Sequence, residues 1–215
     1  MSTSEDKKFS GAYHHGDLHA ALVAAATELV TCCGPAAVSL REVARMVGVS
    51  HNAPYRHFPT RQALLAAVAA SGFEMLSQEM KETAAIVGPE DHLLAIARGY
   101  IAFALRHRGV YQLMFSDAIS KSDHPELQAV AMRAFANLQE HVEALNPALD
   151  AGAAAVTVWG LLHGIAHLIL DNQLKPDSDN DPLHTGLVAI ATRILVAGLA
   201  NVKADAAGAA SPNCG

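Results

Sequence analysis

The chain is expected to be all-α, with an N-terminal three-helix unit followed by a larger antiparallel helical bundle. Half of its 215 residues are apolar yet only 5% are aromatic, and Ala, Leu and Val recur at helical rather than alternating spacing. Residues 39 to 65, SLREVARMVGVSHNAPYRHFPTRQALL, also carry the punctuation of short helices joined by a tight turn. The length exceeds one small domain and allows two cores. The expected division is a disordered arm at 1–13, a three-helix unit at 14–60, a larger helical bundle at 61–202 and a disordered tail at 203–215.

The opening MSTSEDKKFSGAY is polar and shows no signal peptide, which points to an unfolded arm on a cytoplasmic protein. Lys7 and Lys8 would add weak phosphate attraction from that arm. A first helix ends near Cys32 and Cys33. A disulfide between chain neighbours would strain the peptide joining them, and no second Cys pair offers metal spacing, so reduced, partly buried thiols are expected.

Ser39 followed by Glu42 is a capping box, so a helix starts at Leu40, buries Leu40, Val43 and Ala44, and exposes Arg41 and Arg45. Gly48 ends it by tolerating the left-handed conformation. Ser50 or Asn52 then caps a second short helix, from about His51 to Phe58, which Pro59 stops. Pro54 deletes one helix hydrogen bond if Ser50 is the cap and none if Asn52 is, leaving two registers open. Thr60 caps a third helix, Arg61 to about Ala85.

Beyond it, Gly88-Pro89 restarts the chain, and Leu93, Ile96, Ala97, Tyr100, Phe103 and His107 fall at helical spacing. Gly109 is expected to break that helix before a short one over VYQLMFS. Asp123-His124-Pro125 starts another, with Leu127, Val130, Ala134, Leu138, Val142 and Leu145 on one face, ending at Asn146-Pro147. Ala151 to Leu170 has the length of a membrane span, but its flanks are Asp150 and Asp171 and it contains two His, so no membrane is expected. A helix apolar all round also suits packing on two sides at once, inside a subunit and against a second copy. Gly160 and Gly164 on one stripe would admit a neighbouring helix closely. After an Asp- and Pro-rich linker over Gln173 to Pro182, a last apolar helix carries Leu187, Ile190, Ile194 and Leu199, and these two helices are expected to form a homodimer interface.

The net charge of −6 is unevenly placed. Residues 1–72 hold six Lys and Arg against five acids, leaving nine against sixteen in the remainder; from Ser39 to Arg61 four Arg face one Glu. A basic tip on an acidic body orients a molecule toward DNA.

Ala44, Gly48, Val49, Ser50, Tyr55, His57, Phe58, Pro59 and Thr60 occupy the places of a family pattern, and the segment resembles the helix-turn-helix of the tetracycline-repressor (TetR) family of bacterial regulators. The resemblance spans about Gly16 to Leu65. Trp159-Gly160-Leu161-Leu162-His163-Gly164, with VYQLMF before it, resembles the WHG-type C-terminal domain of one branch of that family. These likenesses imply a homodimeric transcriptional regulator, a repressor rather than an activator, which leaves a palindromic double-stranded DNA operator when a small, largely apolar or aromatic effector binds. They imply that Ser50, His51, Asn52 and Ala53 face bases while Tyr55, His57 and Arg61 hold phosphates. Asn52 suits a bidentate adenine contact and His51 a guanine or phosphate. Ser39, Arg41 and Arg56 complete the candidate DNA-binding set.

The candidate effector residues are Tyr100, Phe103, His107, Tyr111, Met114, Phe115, Trp159 and His163. Trp159, His163, His167 and Leu170 share one helical stripe. His163 and His167 at i and i+4 have chelating spacing, but a third ligand is not identifiable, so neither a metal nor a cofactor is expected. No nucleophile-base pair, Gly-rich phosphate loop or carboxylate dyad points to an enzyme. The alternative is a helical small-molecule or metal sensor without sequence-specific DNA activity.

Overall fold

A computed structural model describes residues 18–174 and 186–202, which form eight α-helices and no strand. These are α1 (Leu18–Cys33), α2 (Leu40–Val47), α3 (Arg61–Ala85), α4 (His92–Arg106), α5 (Arg108–Met114), α6 (Pro125–Leu145), α7 (Ala151–Leu170) and α8 (Leu187–Asn201). The expected arm, the start of the resemblance at Gly16, the linker from residue 175, and the tail lie outside the described residues.

Local chemistry sets the helix ends. The Ser39 hydroxyl accepts a hydrogen bond from the Glu42 amide at 3.1 Å, Thr60 accepts from the Ala63 amide at 3.1 Å, and the Asp150 carboxylate accepts from the Ala153 amide at 3.0 Å. Gly48 closes α2 at φ 77°, and α2 buries Leu40, Val43 and Ala44 while Arg41 and Arg45 stay exposed.

Helix α3 is the spine. Its 25 residues pack on α1 at one end and on α4, α5 and α6 further along, so Leu64, Leu65, Val68, Phe73, Leu76 and Met80 join both halves into one continuous apolar cluster. Helix α7 is the one described helix long and apolar enough to cross a membrane. Here it buries Ala155, Val158, Leu162, Ala166 and Leu170 against α4 and α6.

Two expectations are corrected. The break between α4 and α5 falls at His107 (φ −115°, ψ 41°), and Gly109 lies inside α5. A Cβ at Gly109 would stand 2.5 Å from the Val30 carbonyl oxygen of α1, so the glycine is used for close approach and not as a breaker. Gly109→Ala should therefore push α5 off α1 and destabilise the fold by about 1–3 kcal/mol, the usual cost of overpacking. An unchanged thermal unfolding midpoint would show that the contact yields freely.

The cysteines depart from expectation as well. Cys32 and Cys33 are both exposed rather than partly buried, with their sulfurs adjacent. Burial on α1 follows Leu22, Ala26 and Val30, and the next position of that four-residue stripe is Gly34, so neither cysteine points inward.

Candidate DNA-reading segment, effector cavity and apolar face

The segment after Gly48 differs from the short α-helix expected over His51 to Phe58. The Ala53 amide donates to the Ser50 carbonyl (3.0 Å), the Arg56 amide to Ala53 (3.2 Å) and the His57 amide to Pro54 (2.9 Å). These three-residue steps culminate in a single 3₁₀ turn over Pro54–Arg56 with Ala53 at its N-cap. Pro54 has no N–H to offer the Ser50 carbonyl, which is taken by Ala53 instead, so neither Ser50 nor Asn52 is the cap. Pro54 and Phe58 anchor the segment in the core, and Phe58 is covered by His19 of α1 at 4.7 Å between ring centroids. Nothing in the local pattern marks His19 for that task, because its partner is 39 residues away.

That anchoring turns His51, Asn52, Tyr55, Arg56 and His57 to solvent, with Ala53 half-buried, and Tyr55 remains 49% exposed. Arg41 from α2 joins His51, Asn52 and Tyr55 around one shallow, polar depression. Ser50 and Ser39 are exposed beside it, although the Ser39 hydroxyl is committed to its cap. Arg45 reaches Glu42 on its own helix at 2.5 Å.

Arg61 does not stand with this group. Its Nε donates to the Val38 carbonyl at 2.8 Å and a terminal nitrogen donates to the Pro35 carbonyl at 2.5 Å. The guanidinium expected on phosphate thus ties the start of α3 to the loop after α1, adding a second donor to the Pro35 carbonyl, which already accepts the Val38 amide at 3.2 Å.

In the bundle, a cavity of about 470 Å³ opens between α3, α4, α6 and α7. Phe73, Leu76 and Met80 of α3, Phe135 and Leu138 of α6, and Trp159 of α7 supply much of its wall. Of the eight predicted effector residues only Tyr100, Phe115 and Trp159 line it. Phe103, Tyr111 and Met114 are fully buried in the core, and His107 sits beside the Phe103 ring at 5.1 Å. Helical periodicity reports that a side chain faces inward but not whether it meets core or cavity. The α3 and α6 walls were missed for the same reason.

His163 stands behind the wall. Its Nδ1 lies within hydrogen-bond distance of the Tyr111 hydroxyl at 2.8 Å and of the Tyr100 hydroxyl at 3.0 Å, and the two hydroxyls lie 3.1 Å apart. Burial pushes the histidine below its usual pKa, with His167 and Lys121 adding to the effect. Burial also raises the Tyr100 hydroxyl to about 12 and Tyr111 further, so both stay protonated donors. The network is neutral and positions Tyr100 at the cavity edge. His167 lies 4.4 Å from His163 between ring centroids, and no three-residue metal cluster occurs among the described residues.

On the far side of α7, Val156, Gly160, Gly164 and Leu168 form a stripe at four-residue spacing, all exposed. A Cβ on either glycine would meet nothing within 4 Å. Beside it, α8 exposes Leu187 (40%), Ile190 (59%) and Ile194 (69%) while burying Val188, Thr192 and Leu199.

Two family models match the chain: "Bacterial regulatory proteins, tetR family" over residues 22–68 and "Tetracyclin repressor-like, C-terminal domain" over residues 93–191. Among solved structures, a protein of unknown function from Rhodococcus sp. RHA1 is 31% identical, with 88% of this chain and 98% of that one covered and a TM-score of 0.73. A bacterial regulatory protein in the tetR family from Rhodococcus RHA1 is 20% identical over 86% and 97% of the two chains, at a TM-score of 0.58. The transcriptional regulator FadR from Bacillus subtilis, solved in complex with stearoyl-CoA, shares 14% identity over 83% and 98%, at a TM-score of 0.65. No curated protein matches the chain. With both terminal models matched in order and a relative above 30% identity aligned over nearly its whole length, the chain belongs to the TetR family of bacterial transcriptional regulators.

Proposed function

We propose that this regulator is a homodimeric repressor that holds a pseudo-palindromic operator through two copies of the His51–His57 segment and releases it when an apolar effector fills the bundle cavity. The observation that carries the reading is the polar depression formed by Arg41 of α2 with His51, Asn52 and Tyr55 of the segment whose Pro54 and Phe58 are buried in the core. Asn52 has the side chain for a bidentate adenine contact; His51 suits a guanine or phosphate; Tyr55, Arg56, His57 and Arg41 suit phosphates, with Ser39, Ser50 and Ala53 at the margin. Arg61 acts here as a positioning residue. Successive half-sites lie about 34 Å apart, so a modest change in the separation of the two units spoils both contacts together. The exposed stripe of α7 with the apolar face of α8 supports dimerisation, since contiguous apolar surface of this kind marks an association face.

The test is operator binding by the full-length chain, with the operator obtained by selection from genomic fragments. A log K against log salt slope of about −4 to −7 is expected for four to eight neutralised phosphates per dimer. Asn52→Ala should cost about 1–3 kcal/mol on the operator and little on unrelated DNA. A specificity ratio untouched by Asn52→Ala would remove the residue from base contact, and failure to retard any DNA at low salt would favour a sensor without DNA activity.

A further inference from the structure

The cavity carries one charge. Among its described lining residues Lys121 is the one Lys, Arg, Asp or Glu; the other polar groups are the amides of Gln128 and Gln139, the indole N–H of Trp159 and the Tyr100 hydroxyl, which is already engaged by Tyr111 and His163. The Lys121 ammonium stands 5.6 Å from the centroids of both Phe73 and Phe115. Each ring is itself cavity wall, and the two pack edge to face at 5.4 Å. A 3₁₀ turn over Lys121–Asp123, packed against α6, sets the lysine at this place. No carboxylate of the described residues lies within ion-pair distance of its nitrogen. Ring faces hold a cation by their quadrupole but accept no directed hydrogen bond, so the N–H donors of this exposed ammonium turn to solvent and are open to an anionic ligand.

We infer that the effector is an apolar monocarboxylic acid, its hydrocarbon body in the cavity between α3, α6 and α7 and its carboxylate paired with Lys121. This inference rests on the assignment of the cavity as the effector site and adds the chemistry of the head group. The walls explain the body. Leu76, Met80, Ile96, Leu138 and Leu162 give a surface on which only dispersion and water release act, and a volume near 470 Å³ is that of a small-molecule site. The head group follows from complementarity. A carboxylate at Lys121 forms a charge-assisted hydrogen bond at the solvent-facing edge of the cavity, whereas an ammonium would meet like charge and an alcohol would leave the cation unneutralised.

Calorimetric titration of the intact protein with decanoate, decanol and decylamine tests the head group, and 1-naphthylacetate against 2-(1-naphthyl)ethanol repeats the comparison on an aromatic body. The expected result is that, for at least one body, the acid binds at least about tenfold more tightly than the alcohol and the amine binds weakest. Lys121→Met should bring acid and alcohol to within about threefold of each other while leaving alcohol affinity in place, and Lys121→Glu should make decylamine the preferred member of its series. Lys121 is exposed, so both variants should fold; their helical circular dichroism should match the parent's. If the alcohols bind as well as the acids, or if Lys121→Met leaves the preference unchanged, the anion site is refuted while the apolar cavity stands. If no member of either series binds, the cavity assignment fails with it.

Discussion

Ile194→Glu should convert the protein to monomers at micromolar concentration and lower operator affinity by about 10²- to 10⁴-fold, the range in which two linked contacts outperform one. Ile194 is 69% exposed on the same face as Ile190 and Leu187, next to a stripe of α7 whose two glycines leave room for another helix to approach. In a dimer these side chains would leave water, at roughly 1.5–3 kcal/mol for each large aliphatic that becomes buried. A carboxylate at position 194 would have to be buried without a partner, which costs more than the isoleucine contributed. Because Ile194 contributes nothing to the core of the single chain, the monomer should keep its helical content and should still bind the model carboxylates. Sedimentation equilibrium and operator titration read the two effects separately. A soluble, folded dimer carrying Glu at 194 would exclude α8 from the centre of the interface.

Arg61→Ala should destabilise the protein by about 2–4 kcal/mol, since two hydrogen bonds from a charged group to the Val38 and Pro35 carbonyls are lost. Arg61→Lys should recover only part of this, because a single ammonium cannot reproduce the fork that spans both carbonyls. The same substitution separates anchoring from phosphate contact. If Arg61 neutralised a phosphate in each subunit, Arg61→Ala would make the salt slope shallower by about 1.8 per dimer and leave the unfolding midpoint unmoved. The geometry requires the opposite pattern: a lower midpoint in denaturant, an unchanged salt slope, and DNA affinity lost only as the N-terminal unit loosens.

Much of the fold was legible in the sequence. The start of α2 at Leu40 and of α3 at Arg61 could be read from Ser39 and Thr60, and the bounds of α7 from the charge-free run between Asp150 and Asp171. Each cap is a bond between a side chain and an amide three residues on, and such bonds need no knowledge of the rest of the chain. The buried stripe of α6 was equally visible, because helical period alone puts Leu127, Val130, Ala134, Leu138 and Val142 on one side. The candidate DNA-reading residues followed from the family resemblance, and Arg41, His51, Asn52 and Tyr55 among them line one depression. Pro54 also announced its missing donor. What could not be foreseen was that the chain would respond with a 3₁₀ turn capped at Ala53, a choice made once Pro54 and Phe58 were drawn into the core.

The remaining features depend on partners distant in the chain. Arg61 has the composition of a phosphate ligand, and only the return of the Pro35–Val38 loop to its side shows that two of its five donors are engaged within the chain. Gly109 has the composition of a helix breaker, and only the approach of Val30 from α1 shows that it is a contact. The cavity is the clearest case. Phe103, Tyr111 and Met114 share period and character with Tyr100, Phe115 and Trp159, yet three fill the core and three face empty space. Apolar patterning determines which side chains leave water, because that preference belongs to each residue. Whether they then meet one another or a space left for a ligand depends on how closely α3, α4, α6 and α7 approach, and helix separation is decided by the packing of all four together.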